Sequence, residues 1–188
     1  MPHLTPTLEG SSPRREYDEY FTPPGATIAV LPHIVHWPNS VWECACGNGA
    51  ISRELMRVGF GVISTDLRDY GFEGAQQLDF FSAHEKLADV IVTNPPFNAA
   101  SEFIRHAHEL GVQRMALLLK ADFFAAKKHE WVFEEWRPCK MLALTWRLDF
   151  TGAGAPHTNC MWVLWESHGD VCVPCEYDLL RAPELRVI

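Results

Sequence analysis

Residues 88–97 read Ala88-Asp89-Val90-Ile91-Val92-Thr93-Asn94-Pro95-Pro96-Phe97, an apolar, β-branched run that stops at two prolines. β-Branched side chains favour the extended chain, and an apolar run with no polar alternation suits a strand buried on both faces, as in a parallel sheet. Proline cannot donate to a strand ladder, so Pro95 and Pro96 end it. The residues at that end carry chemistry. The Asn94 side-chain oxygen and the carbonyl between the two prolines can both accept hydrogen bonds from one NH₂ group, and Phe97 offers a flat face for a base. A strand-terminating turn in which Asn94 caps the next element is the plainer reading.

Outward from this stretch, strand-like and helix-like segments alternate. Residues 26–36 have helical apolar spacing, 40–45 form a short strand broken by Gly47-Asn48-Gly49, and 51–58 are helical again. Residues 61–65 are a β-branched strand ending at Asp66; 99–110 are helical, and 114–119 are a continuous apolar strand. Such alternation predicts an α/β fold, a mostly parallel sheet with helices on both faces. The tail differs, because residues 140–150 and 160–166 bracket Thr151-Gly152-Ala153-Gly154-Ala155-Pro156, a hairpin signature that predicts antiparallel strands at the C-terminal end. Residues 1–16, rich in Pro, Ser, Thr and charge, read as a loosely ordered arm, and residues 17–188 as one domain with no separate large recognition domain.

The chain of 188 residues is long enough for a real hydrophobic core. Its 24 acidic residues against 16 basic ones give a formal charge of −8, which excludes binding of polyanions by bulk positive charge but leaves room for a local basic groove. No run of eighteen apolar residues and no secretory core segment is present, and the six Cys sit in apolar or turn contexts. The expectation is a cytoplasmic protein with no membrane role.

In an open α/β sheet, ligands bind beyond the carboxyl ends of the strands, and the first glycine-rich strand-to-helix turn is the usual anchor. Glu43-Cys44-Ala45-Cys46-Gly47-Asn48-Gly49 stands at that point. Its glycines let the backbone approach a ligand closely, next to the free N–H groups of a helix start; an ordinary tight turn is the alternative. Asp66, about 20 residues on, is suited to bind ribose hydroxyls or to cap a helix.

Taken together, Glu43-x-x-Cys46-Gly47-x-Gly49, Asp66, Asp79-Phe80 and Asn94-Pro95-Pro96-Phe97 resemble the signature of Rossmann-like, S-adenosylmethionine-dependent methyltransferases that act on amino groups. The resemblance is nearest to the small N6-adenine DNA methyltransferases common in phages and prophages, and covers about residues 17–166. Phe21-Thr22-Pro23-Pro24 is similar to the family's N-terminal motif, and Arg147–Gly152 with Met161–Glu166 to its C-terminal strand pair. The resemblance implies a three-layer methyltransferase sheet, S-adenosylmethionine as cofactor and a DNA partner. It implies cofactor contacts from Phe21, Thr22, Pro23, Glu43, Cys44, Ala45, Gly47, Gly49, Asp66, Leu67, Asp79, Phe80 and Asn94, with the glycine loop on the methionine end, Asp66 on the ribose, and Asp79 and Phe80 on the adenine. Asn94, Pro95, Pro96 and Phe97 would handle the target base. Without the neighbouring motifs, Phe80 and Phe81 read equally well as core.

Lys120, Lys127, Lys128 and Arg137, interleaved with Phe123, Phe124, Trp131 and Trp136, suit a nucleic-acid strand or an amphipathic helix; Arg14, Arg15 and Arg105 could add phosphate contacts. Cys172 and Cys175 have metal-ligand spacing, but Cys44 and Cys46, one residue apart, do not form the second knuckle a structural zinc needs, so free thiols and no metal are expected. His33, His36, His84, His106, His108, His129, His157 and His168 form no ligand pattern. Three functions remain open at this point: methyl transfer to adenine N6 in DNA; methyl transfer to adenine in RNA or to a protein glutamine amide; and a non-catalytic cofactor-binding subunit of a heterodimer. A homo-oligomer fits as well.

Overall fold

The computed structural model describes residues 21–152, 154, 156–167 and 174–183. The arm at residues 1–16, with Arg14 and Arg15, lies outside the described residues, as do His168 and Cys172.

In chain order the elements are α1 (Pro24–Ile34), β1 (Ser40–Glu43), α2 (Ala50–Arg57), β2 (Gly61–Asp66), β3 (Gln76–Gln77), β4 (Val90–Thr93), α3 (Ala100–Glu109), β5 (Arg114–Lys120), α4 (Trp131–Glu135), β6 (Lys140–Leu144), β7 (Cys160–Glu166) and β8 (Glu176–Leu180). All eight strands form one sheet in the order β3-β2-β1-β4-β5-β7-β6-β8. β7 alone runs against its neighbours β5 and β6; every other pairing is parallel.

The continuous apolar runs do what their composition requires, because successive side chains feed two separate cores. Val41, Val90, Val92, Ala116, Leu118, Trp162 and Leu164 pack with α1 and α2 on one face. Trp42, Ile91, Met115, Leu117, Leu119, Met161, Val163 and Trp165 pack with α3 and Val132 of α4 on the other. Trp42, Trp162 and Trp165 are fully buried. Each indole N–H has an acceptor: Thr65 Oγ1 at 2.9 Å, the Ala26 carbonyl at 2.8 Å and the Trp136 carbonyl at 2.8 Å. An orphaned buried donor would cost about 1–3 kcal/mol. The Trp162 bond also fastens the first turn of α1, which Pro24 starts in the favoured N1 position, so Thr22 and Pro23 are held near the end of β4.

Three expectations are corrected. The strand expected over 40–45 ends at Glu43, because Gly47 and Gly49 turn with φ of 51° and 78°. The strand expected over 140–150 ends at Leu144, and residues beyond it keep only a bridge between Leu148 and Thr158. There the Asp149 carboxylate accepts from the N–H groups of Thr151, Gly152 and Gly154 and from Thr151 Oγ1, winding the chain into a turn. The basic segment is not one amphipathic helix: two single 3₁₀ turns are separated by Ala126 in extended conformation, ahead of the five-residue α4. Among the described residues no helix is long and apolar enough to cross a membrane.

Candidate active site

The strand order reverses between β2-β1 and β4-β5, and a cavity of about 430 Å³ opens there at the carboxyl ends of β1, β2 and β4. This is where an open α/β sheet binds ligands. Of the residues singled out from the sequence, Phe21, Cys44, Ala45, Gly47, Asp66, Leu67, Asp79, Phe80, Asn94, Pro95, Pro96 and Phe97 all line it.

The glycine loop is drawn tight against β2. Gly47 N–H donates to Asp66 Oδ2 at 2.7 Å, Cys46 N–H to the Thr65 carbonyl at 3.0 Å, and Gly49 N–H to the Cys46 carbonyl at 2.7 Å. Asp66 Oδ1 accepts from Arg68 N–H at 3.1 Å, so the carboxylate is aimed by the backbone on both sides and is not a helix cap. Burial raises the Asp66 carboxyl above its ordinary range, against the lowering effect of these N–H groups. Each carboxylate oxygen has a second lone pair for a ligand hydroxyl.

Asp79 accepts from Phe81 N–H at 3.0 Å and starts a 3₁₀ turn. Phe80 combines both sequence readings: it belongs to the core, stacked on Phe103 at 4.6 Å and edge-on to Trp42 at 5.2 Å, yet also lines the cavity. On the opposite wall, Asn94 Nδ2 donates to Thr22 Oγ1 at 3.1 Å. In this orientation the amide nitrogen faces Thr22 and the amide oxygen is the accepting end of the side chain. Phe97 meets Phe150 at 74° with centroids 5.8 Å apart, and the Lys120 ammonium stands 5.0 Å from the Phe97 ring centre.

Four predicted cofactor residues are not part of the cavity wall. Thr22 is buried and acts on Asn94; Pro23 caps α1. Gly49 lies under the Phe72 ring, where a Cβ would come within 2.4 Å of ring carbons, so packing demands glycine there. Glu43 is buried behind the loop, accepting from Ser52 Oγ at 2.7 Å, and Ser52 in turn meets Ser64 Oγ at 2.8 Å. Lys127, Lys128 and Arg137 are exposed on the segment around α4 and do not line the cavity; Arg137 lies over Phe133 at 5.9 Å and Arg105 over Trp131 at 4.5 Å. Residues missed from sequence are Arg68, Tyr70, Phe81, Asn98, Ala99 and Phe103, all in the wall. Tyr70 meets Phe21 edge-on at 5.7 Å. These positions belong to turns and a helix face, and only the fold brings them to the cavity.

Burial pushes the Glu43 carboxyl up to about 8, partly offset by Ser52. The folded protein therefore holds a proton that the unfolded chain releases near the ordinary carboxyl value, and the stability this gives falls as pH rises through about 8. Glu43→Gln should remove much of that loss. Thermal melts at about pH 5.5 and 8.5 should show a smaller drop for the variant than for the wild type; equal drops would mean that Glu43 is ionised in the fold.

No protein-family model matches the chain, and no curated protein sequence matches it. Solved structures do match in fold. A candidate class I S-adenosylmethionine-dependent methyltransferase from Listeria monocytogenes aligns with a TM-score of 0.61 at 14% identity, over 90% of this chain and 68% of that one. A candidate RNA methyltransferase from Pyrococcus horikoshii aligns with a TM-score of 0.63 at 15% identity, over 85% and 92%. The methyltransferase subunit of a type I restriction-modification system from Streptococcus thermophilus aligns with a TM-score of 0.55 at 12% identity, over 81% of this chain but 46% of that subunit. The architecture is the Rossmann-like methyltransferase fold, with β7 reversed as its antiparallel element.

Proposed function

We propose that the protein transfers a methyl group from S-adenosylmethionine to the exocyclic N6 amine of adenine in DNA. The observation that carries this reading is Asn94-Pro95-Pro96-Phe97 at the end of β4, in the wall of the same cavity as Asp66 and Asp79. The cavity volume lies within the range of cofactor pockets. Its donor set fits the proposed cofactor: the Asp66 carboxylate suits a ribose diol, Asp79 suits an adenine amino group, and the apolar wall around Phe80 suits the adenine ring. Gly47, whose added Cβ would press on Phe21 at 3.2 Å, keeps the methionine end of the cavity open.

When bound, the cofactor supplies an electrophilic methyl group on a sulfonium centre. The chain supplies the geometry. The Asn94 amide oxygen and the Pro95 carbonyl would accept the two N–H groups of the target amine, aim its lone pair and stabilise the positive charge that develops on nitrogen. An Asn amide held by Thr22 is pre-organised for this, since it need not reorient during the reaction. Phe97 would stack on a base swung out of its helix.

The test is transfer of labelled methyl to duplex DNA, single-stranded DNA, RNA and total protein in parallel. Label recovered as N6-methyladenine in DNA is the expected result. Label confined to RNA or to glutamine amides would overturn the DNA assignment and retain the chemistry of the site; cofactor binding with no transfer to any substrate would overturn the enzyme reading in favour of a binding subunit.

A further inference from the structure

Phe97 belongs to two cavities. Beyond the one described, it lines a neighbour of about 200 Å³ whose wall also includes Lys120. Lys120 in turn lines an open cleft of about 520 Å³ with Asp122, His157, Thr158 and Asn159. Lys120 and Asp122 line both cavities, so the two side chains stand between the proposed base-stacking ring and an open polar cleft. Lys120 is the last residue of β5, pinned by its antiparallel pairing with Cys160, and its side chain is exposed. Its ammonium lies over the Phe97 ring, and among the described residues it makes no ion pair with a carboxylate.

We propose that Lys120 selects the substrate class: its ammonium occupies Phe97 in the free protein and moves onto a backbone phosphate of the incoming strand when a base takes its place on the ring. The proposal rests on the reading of Phe97 as the residue that stacks on the target base. Three physical points carry it. A base on an aromatic ring is held more strongly than an exposed ammonium over the same ring, so the base displaces the cation. The displaced group is a compact point charge on a flexible stem, held in no ion pair among the described residues, and phosphate is a natural partner for it. Asp122, which lines the same two cavities, repels a phosphate, which favours a strand whose phosphate comes closer to the ammonium than to that carboxylate. The consequence is a coupling of two contacts. A nucleobase carried on a phosphodiester strand gains both stacking and charge pairing. A free nucleoside, or a glutamine amide on a protein, displaces the ammonium and gives it no anion in return.

The test compares wild type, Lys120→Met and Lys120→Arg for binding of a labelled adenine-containing single-stranded oligonucleotide. Binding is followed by fluorescence anisotropy from about 50 to 200 mM salt, with methylation of the same oligonucleotide measured alongside. Lys120→Met should weaken binding roughly five- to tenfold at low salt and lower the slope of log K against log salt by about 0.7–1. Lys120→Arg should restore both, and competition by free adenosine should be unchanged or improved in Lys120→Met. An unchanged slope, or tighter oligonucleotide binding by Lys120→Met, overturns the proposal. Methylation by wild type with that same unchanged slope overturns the role of Lys120 alone. A wild type that binds cofactor but no oligonucleotide overturns the nucleic-acid reading together with it.

Discussion

Asn94→Ala is expected to lower methyl transfer by about 10²–10³-fold, the usual cost of removing one pre-organised charge-stabilising group. Cofactor affinity should change by less than about tenfold, the equivalent of one hydrogen bond. The distinction matters because Asn94 also holds Thr22 at 3.1 Å, so its removal frees a tether as well as an acceptor. Thr22→Val separates the two effects: it cuts the tether and leaves the amide oxygen in place. If Asn94 acts through its oxygen, Thr22→Val loses only the pre-organisation of the amide and costs much less rate than Asn94→Ala. Equal losses in both variants would mean that Asn94 serves only to fasten the start of α1. Cofactor binding by calorimetry and single-turnover transfer measure the two quantities independently.

Gly49→Ala should cost about 2–5 kcal/mol of stability, in two parts. A side chain at φ 78° costs roughly 1–2 kcal/mol, and overpacking against a ring adds about 1–3 kcal/mol; the added Cβ would lie 2.4 Å from Phe72 carbons. For a domain of this size the melting temperature should fall by roughly 5–20 °C. Gly71→Ala is the control, because φ there is 74° but no atom lies within 4 Å of the added Cβ. It should show the backbone part alone. Combining Gly49→Ala with Phe72→Ala should recover part of the packing cost. Indistinguishable melts for Gly49→Ala and Gly71→Ala would rule out a role for the Phe72 contact.

Both predictions fall on residues visible in the sequence, but for reasons visible to different degrees. The end of β4 was legible because a doubly buried strand leaves a continuous apolar run and two prolines mark its end. Gly49 was legible as a turn residue, while its reason lies in Phe72, which is more than twenty positions away and carries no mark of its own. Strands with one buried residue leave little pattern: β8 exposes Glu176, Tyr177, Asp178 and Leu179 and buries only Leu180, so nothing distinguished it from a loop. β3 has two exposed glutamines and could not be seen at all. Within the site, the acidic and glycine positions carried recognisable spacing. Glu43 looked like a ligand residue because of that spacing, yet its side chain points into a buried hydroxyl pair, and burial is a property the linear chain does not display.

The two cysteines that flank Ala45 give the glycine loop a chemical character of its own. Burial pushes the Cys46 thiol up to about 12 and Cys44 well above its ordinary value, with the Glu43 and Asp66 carboxyls adding to both shifts. Since the thiolate is the form that attacks electrophiles and peroxides, a group ionising near 12 offers on the order of 10⁻⁵ of its population for reaction at neutral pH. A loop that stands beside a proposed alkylating cofactor thus contains two sulfur atoms that are chemically quiet. Both are held as thiols, the form that least readily reacts with electrophiles and oxidants.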